Sequence, residues 1–137
     1  MGALIDSSIL IEAERGRLDL TRLAAQNPQE TFSISALTAS ELLHGVYRAV
    51  RTSQRVKRMA FVEALLAAMP VLPFDLAVAR IHAQLWAELH RRGVIIGQMD
   101  SMIGATALAW DLTVVTCDRR SFSRMPGLRV EVVALNG

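Results

Sequence analysis

Residues 4–13 of the sequence read LIDSSILIEA, and the position of Asp6 within this stretch decides how the chain is interpreted. Two aliphatic residues precede the aspartate and another aliphatic run, residues 9–11, follows it, so a carboxylate stands between segments that are typical of a buried core. A carboxylate that leaves water without a partner costs several kcal/mol. The sequence therefore predicts that something compensates the charge of Asp6.

The composition is that of a compact protein of 137 residues, 52% of them hydrophobic and 20% charged. This length predicts one domain, residues 1–137, with one core. The longest uncharged apolar stretch, residues 64–74, contains two prolines and is shorter than the roughly 20 residues that cross a membrane. The N-terminus also lacks the basic segment and cleavage site of a secretory signal, so we expect a cytoplasmic protein without a membrane partner.

Cysteine and lysine are both rare. Cys117 is the only cysteine, which excludes an internal disulfide and a multi-cysteine zinc site. Lys57 is the only lysine among 15 basic residues, and the formal net charge is +2. Arginine binds phosphate groups through its planar fork, so the bias is compatible with a nucleic-acid partner. A GC-rich genome would produce the same bias without any function, and composition leaves both explanations open.

Strand-like and helix-like segments alternate along the chain. Short apolar runs predict strands at residues 3–6, 31–34, 71–72, 112–116 and 130–134. Apolar residues spaced three and four apart predict helices at residues 7–14, 18–26, 38–51, 54–69, 76–92 and 101–110. This order predicts an α/β fold, with a central, mostly parallel sheet of four to five strands flanked by helices on both faces.

Four acids fall where such a sheet gathers its ligands, at the carboxyl ends of its strands. Asp6 ends the first predicted strand and Asp118 lies just beyond the fourth. Asp100 opens the helix that precedes that fourth strand, and Glu41 lies near the start of the helix that follows the second strand. We therefore expect the four carboxylates to face one edge of the sheet.

Converging carboxylates point to a metal site. Two like charges about 4 Å apart repel by roughly 4 kcal/mol at an effective dielectric of about 20, so either some of the acids hold protons or a cation neutralises them. Oxygen ligands favour Mg²⁺ or Mn²⁺, and one or two such ions suit the hydrolysis of phosphate esters by an activated water. The hydroxyls of Ser7 and Thr116 are placed to support a carboxylate, a water or a phosphate.

Each acid also has a purely structural interpretation. Asp6, Asp100 and Asp118 are all good helix N-caps, and Glu41 is an ordinary residue of a solvated helix face. The shared placement at one sheet edge, rather than any single residue, favours the metal site.

Other polar residues carry weaker signals. Arg119 and Arg120 stand beside the acidic edge and are candidate phosphate ligands, or plain surface residues. His44 shares a helix face with Glu41 but is expected to be exposed, and His82 has no metal-ligand partner at suitable spacing.

Four segments, in this order, resemble the motifs of PIN-domain ribonucleases, and within that family the VapC-like toxins of bacterial type II toxin–antitoxin modules. LIDSSILI resembles the opening strand, with the first acid at Asp6 and a neighbouring hydroxyl at Ser7. ISALTASELLHG is similar to the second motif, with its glutamate at Glu41. MDSMIGATAL and VVTCDRRSFSRMPGLRV resemble the third and fourth motifs, with their acids at Asp100 and Asp118.

The resemblance implies a PIN-like domain with Mg²⁺- or Mn²⁺-dependent endoribonuclease activity, these four acids being its catalytic and metal-binding residues. It also implies a homodimer and a small cognate antitoxin whose C-terminal segment occupies a groove of the toxin. The two helices over residues 38–69 carry apolar side chains that are available to such a partner, or to the core. These side chains are Val46, Val50, Phe61, Leu65 and Leu66.

Rival functions fit the sequence less well. A haloacid-dehalogenase-like phosphatase requires a second aspartate where this chain has Ser8, and a response regulator requires a lysine near its last strand. The chain has no Walker-type glycine loop. The remaining alternative is a catalytically inactive PIN-like domain that binds RNA or protein, and the presence of all four acids argues against it.

Overall fold

A computed structural model of the chain describes residues 2–135 and contains five strands and six α-helices within that range. The strands are β1 (Gly2–Ile5), β2 (Thr31–Ser35), β3 (Val71–Leu72), β4 (Thr113–Thr116) and β5 (Val130–Val132). The helices are α1 (Ser7–Glu14), α2 (Leu20–Gln26), α3 (Ala36–Arg48), α4 (Thr52–Ala68), α5 (Leu76–Arg91) and α6 (Gln98–Ala109). A 3-10 helix covers Phe122–Arg124.

The five strands form one parallel sheet in the order β3-β2-β1-β4-β5. Apolar clusters cover both faces, one around Ile5 and Val115 and the other around Leu4 and Val114. Burial on both faces explains why consecutive residues of the central strands are apolar, Ala3 to Ile5 in β1 and Val114 with Val115 in β4. The predicted fold class is confirmed, and the sheet is entirely parallel.

The direction in which strands are added reverses at β1. The chain first adds β2 and β3 on one side and then β4 and β5 on the other. Ile5 pairs with Val115, and the backbone N–H of Asp6 donates to the Val115 carbonyl at 3.0 Å, so the two central strands end side by side. Such a reversal opens a crevice at the carboxyl ends of the strands, and Asp6 stands at its mouth.

Several helix boundaries differ from the predicted ones, by three residues at most. α6 begins at Gln98 after Gly97, three residues earlier than expected, so Asp100 lies inside its first turn instead of opening the helix. The break between α3 and α4 lies at residues 49–51 rather than 52–53. There Arg55 donates from Nη2 to the Ala49 carbonyl at 2.9 Å, which stabilises the extended backbone between the two helices.

α5 has the boundaries that its sequence predicts, to within one residue. Asp75 caps the helix by accepting a hydrogen bond from the Val78 N–H at 3.0 Å, and Gly93 follows its last turn with a φ of +67° that favours glycine. Over residues 2–135, none of the helices combines the length and apolar character that a membrane crossing demands.

Candidate active site

Asp6 occupies the point where β1 ends and is only 4% exposed. It stands at the N-cap position of α1, but its side chain makes no capping hydrogen bond. Instead, Oδ2 accepts hydrogen bonds from Ser8 Oγ at 2.7 Å and from Thr116 Oγ1 at 2.9 Å. These hydroxyls are protein partners that partly offset the burial of the carboxylate, and they orient it.

Both hydroxyls are themselves held by the backbone. Ser8 Oγ accepts from the N–H of Cys117 at 3.0 Å, and Thr116 Oγ1 accepts from the N–H of Asp118 at 2.9 Å. Each hydroxyl has a single proton to donate, which goes to Asp6. Two chains of hydrogen bonds therefore run from the backbone after β4, through a hydroxyl, to the carboxylate after β1.

Glu41 lies on α3 and is half-buried. Its Oε1 is buried and has no hydrogen-bond partner among the described residues. Burial and, after it, repulsion from Asp6 raise the pKa of the Glu41 carboxyl, with a smaller repulsion from Asp100, while a hydrogen bond from the Ser7 side chain opposes the shift. Glu41 is thus not a solvated helix residue, and Ser7 acts on Glu41 rather than on Asp6.

Asp100 is the third residue of α6 and is also half-buried. Burial is the largest cause that raises the pKa of its carboxyl, and repulsion from Asp6 and Asp118 adds to it, whereas a hydrogen bond from the Ser121 side chain lowers it. The N-cap of α6 is Gly97, so Asp100 does not serve as the cap. A helix N-terminus favours a negative charge, but burial outweighs that effect here.

Asp118 follows β4 and differs from the other three acids. Its Oδ1 accepts from the backbone N–H of Arg120 at 2.7 Å, and this bond is the largest cause that lowers the pKa of the Asp118 carboxyl. Hydrogen bonds from Ser121 lower it further, against the effect of burial. Asp118 therefore closes a turn after β4, and Ser121, not Asp118, precedes the 3-10 helix.

The structure brings the four acids to one edge of the sheet, where Asp6 repels both Glu41 and Asp100, and Asp118 repels Asp100. We call this group the acid edge. The sequence missed two serines that bond to these acids, Ser8 and Ser121. Both lie two or three residues after an acid that ends a strand, and that spacing is the signal that would have found them.

The donor set of the acid edge fits a hard divalent cation, although the edge does not close around one. Within residues 2–135, no three Asp, Glu, His or Cys side chains lie close enough together to hold a metal ion by themselves. Carboxylate and hydroxyl oxygens are nevertheless the ligands that Mg²⁺ and Mn²⁺ prefer, and the buried Oε1 of Glu41 has no hydrogen-bond partner among the described residues. Mg²⁺ commonly keeps several waters and uses only one or two carboxylates, so a closed protein cage is not required.

The remaining candidates lie outside the acid edge. Arg119 and Arg120 are exposed, and Arg120 reaches Asp118 through its backbone. His44 is exposed as expected. His82 is buried, and its Nε2 lies 3.0 Å from Ser101 Oγ, which makes it a hydrogen-bonded core histidine.

The apolar surface expected on α3 and α4 is only partly present. Val46 and Leu65 are buried in the core, because α3 and α4 pack on each other and on the sheet, so for these two residues core packing is the alternative that is confirmed. Phe61 and Leu66 are partly buried against the same cluster, whereas Val50 is 92% exposed.

Comparison with known proteins gives a consistent result. Residues 3–128 match the PIN domain family. The chain is 31% identical to ribonuclease VapC1 of Rickettsia felis over 134 residues, 98% of each protein. It is 36% identical to the tRNA(fMet)-specific endonuclease VapC of Salmonella typhimurium over 98 residues, 72% of each protein.

Solved structures agree with these sequence matches. The crystal structure of VapBC2 from Rickettsia felis bound to a promoter DNA fragment contains a chain that superposes with a TM-score of 0.87 and 25% identity, covering 98% of this chain and all of that one. In the DNA-bound VapBC of Salmonella typhimurium the TM-score is 0.86 and the identity 29%, with 96% of this chain and 97% of that chain covered.

Proposed function

Since this chain belongs to the PIN-domain family, we propose that it is a VapC-type endoribonuclease, the toxin of a type II toxin–antitoxin pair. It hydrolyses phosphodiester bonds of RNA. The observation that carries the proposal is the convergence of Asp6, Glu41 and Asp100 at the crevice between β1 and β4, where each carboxylate faces another acid rather than a basic side chain.

PIN-domain VapC nucleases generally depend on a divalent metal, and here we propose one or two Mg²⁺ or Mn²⁺ ions. Asp6, Glu41, Asp100 and Asp118 would hold them. When bound, such an ion lowers the pKa of a water and offsets the charge that develops on the phosphate. The raised pKa values of Glu41 and Asp100 support this assignment, because a nearby cation would remove the repulsion between the acids.

The other residues of the acid edge position its carboxylates. Thr116 and Ser8 hold Oδ2 of Asp6 and so fix the direction of that carboxylate. Ser7 plays the corresponding part for Glu41, and Ser121 for Asp100. The exposed side chains of Arg119 and Arg120 follow directly after Asp118 and would contact RNA phosphates beside the cleaved bond.

The partners follow from the relatives. Solved neighbours are VapBC complexes, so the chain has a cognate antitoxin that binds and inhibits it, and we propose that it forms a homodimer as its family does. We also propose that it acts in the cytoplasm, where its RNA substrate is found.

The test is the cleavage of total cellular RNA by the purified protein, freed of antitoxin, with Mg²⁺, with Mn²⁺ and with a chelator. We expect discrete fragments that require the metal and that disappear in Asp6→Asn and Asp100→Asn. Glu63→Gln is the matched control, since Glu63 is an exposed acid on α4. Absence of cleavage by a folded wild type over a broad set of RNAs would instead support an inactive PIN-like binding domain.

A further inference from the structure

A groove between α1 and α3 opens directly beside Glu41. It has a volume of about 180 Å³ and is bordered by α1, α3 and one residue of α4. Its charged lining residues are Glu14, Arg15, Glu41, Arg48 and Arg58. We call it the α1–α3 groove. It lies on the Glu41 side of the acid edge, so the Arg119 and Arg120 side chains that follow Asp118 do not line it.

One pair of charges in the groove is already satisfied. Arg58 Nε donates to Glu14 Oε1 at 2.7 Å, and Arg58 Nη1 donates to the Gly45 carbonyl at 2.9 Å. These bonds use the guanidinium to tie α4 to α1 and α3. Arg58 and Glu14 therefore cancel each other, and the charge that the groove offers to a ligand comes from the other residues.

Two arginines of the groove remain available. Arg48 is exposed, and over residues 2–135 its side chain makes no ion pair or hydrogen bond. Arg15 contacts Glu12 at 3.5 Å with a side chain that is 59% exposed, and an exposed pair of this length contributes little. Apart from Glu14, which is paired with Arg58, the only acid that lines the groove is Glu41, which belongs to the acid edge. Two available arginines against one glutamate leave the groove with an excess of positive charge, with or without a cation at the acid edge.

The shape of α3 leaves the groove open. Glu41, Gly45 and Arg48 follow one another at intervals of four and three residues, so they form one row along the helix. A Cβ built on Gly45 meets no heavy atom within 4 Å. The middle of the row is therefore empty space, with a carboxylate at one end and a free guanidinium at the other.

We propose that the α1–α3 groove binds the RNA phosphate next to the cleaved one, with Arg48 and Arg15 as its ligands. This assignment rests on the nuclease function proposed above. A strand whose phosphate lies at the acid edge must continue past Glu41, and the next charge that it presents is another phosphate. A guanidinium binds a phosphate through parallel N–H···O bonds, so Arg48 suits this position.

The test measures RNA binding as a function of salt in the Asp6→Asn background, which does not cleave. A fluorescein-labelled single-stranded RNA is titrated with the protein and the anisotropy is recorded. Each phosphate contact on a single strand contributes about 0.7 to the slope of log K against log salt. We expect Arg48→Gln to weaken binding several-fold and to reduce that slope by about 0.7.

Arg51→Gln is the matched control, because Arg51 is an exposed arginine near the end of α3 that does not line the groove. It removes the same charge, and we expect an unchanged slope. Gly45→Ala and Gly45→Glu form a second pair. Alanine favours the helix and leaves the groove open, whereas glutamate fills it with negative charge. We expect only Gly45→Glu to weaken RNA binding.

The proposal is overturned if Arg48→Gln leaves the salt slope unchanged, or changes it no more than Arg51→Gln does. It is also overturned if the groove variants alter binding of the antitoxin but not of RNA. These results are distinct from a failure of the nuclease function, which shows in the wild-type cleavage assay. If the wild type cleaves RNA with metal but Arg48→Gln does not change the salt slope, only the proposed role of the groove is refuted.

Discussion

Carboxylates in two parts of this molecule, the surface of α5 and the acid edge, have opposite surroundings. Glu88 on α5 is held by two arginines, Arg91 at 2.5 Å and Arg92 at 2.8 Å, whose hydrogen bonds lower the pKa of its carboxyl. At the acid edge, Glu41 and Asp100 are half-buried, face other acids and have raised pKa values.

The difference is not due to a shortage of basic residues, since the chain has 15 Lys and Arg against 13 Asp and Glu. Arginines pair with acids on the surface of α5 and leave Glu41 and Asp100 without a salt bridge in the described part of the chain. This contrast supports the proposal that the acid edge receives its positive charge from a bound cation.

The largest expected effect comes from removing an acid of the edge. Asp100→Asn should reduce RNA cleavage by more than about 100-fold, since even residues that only orient metal ligands cost 10- to 100-fold when they are changed. The same variant should have a higher Tm than the wild type without metal, because it removes a buried charge that is repelled by its neighbours. A cleavage assay and a thermal melt measure both. Loss of activity together with a lower Tm would contradict this account.

The hydroxyl support of Asp6 gives the next largest effect. Thr116→Val keeps the shape of the side chain and removes the hydrogen bond to Oδ2, and we expect a 10- to 100-fold loss of cleavage or of metal affinity. Thr106→Val is the control, since Thr106 is equally buried on α6 but donates only to the Met102 carbonyl. Equal losses of activity in the two variants would show that Thr116 has no particular role.

The acid edge should also make stability depend on pH in the metal-free protein. The folded pKa values of Glu41 and Asp100 are raised above their ordinary values of 4.5 and 3.8, so the unfolded chain releases these protons first. The free energy of unfolding therefore falls as the pH rises from the unfolded pKa values of the two acids through their higher folded pKa values. Glu41→Gln should make this fall smaller in urea melts at several pH values. Glu88 acts in the opposite sense, because its pKa is lowered.

Added metal should remove part of this penalty. A ligand that binds only the folded state at 100 times its Kd stabilises it by about 2.7 kcal/mol. We expect Mn²⁺ to raise the Tm of the wild type and of Glu88→Gln, and to have little effect on Asp6→Asn. A uniform rise in all three would indicate nonspecific binding elsewhere on the surface.

The smallest effect is expected at the paired acid. Glu88→Gln removes two ion pairs that solvent screens, and it should leave RNA cleavage unchanged. Activity measured in parallel with Asp100→Asn checks this. A large loss of RNA cleavage in Glu88→Gln would show that the acid edge is not functionally distinct from the paired acid on α5.

The sequence predicted those features that depend on the local pattern. Asp6 and Asp118 were assigned to the carboxyl edge because each directly follows an apolar run, and parallel strands end on the same side. The limits of α5 followed from Asp75 and Gly93. The early start of α6 at Gln98 was missed, because Gly97 is a weak N-cap signal compared with Asp100.

Features that depend on tertiary packing were not predictable in the same way. The role of Ser8 was not predicted, because its hydroxyl links the ends of β1 and β4, which are far apart in the sequence. For Val46 and Leu65 the sequence left open whether a partner or the core covers them, and the packing of α3 and α4 on each other and on the sheet buries them. The apolar pattern of a helix shows that one face is covered, but it does not identify what covers it.

If the acid edge is a metal site, it takes its positive charge from a bound divalent cation. Titration of the metal-free protein with Mn²⁺, with free Mn²⁺ counted by electron paramagnetic resonance, tests it most directly. We expect one or two bound ions in the wild type and in Glu88→Gln, and loss of that binding in Asp6→Asn. Equal binding in Asp6→Asn and the wild type would contradict it.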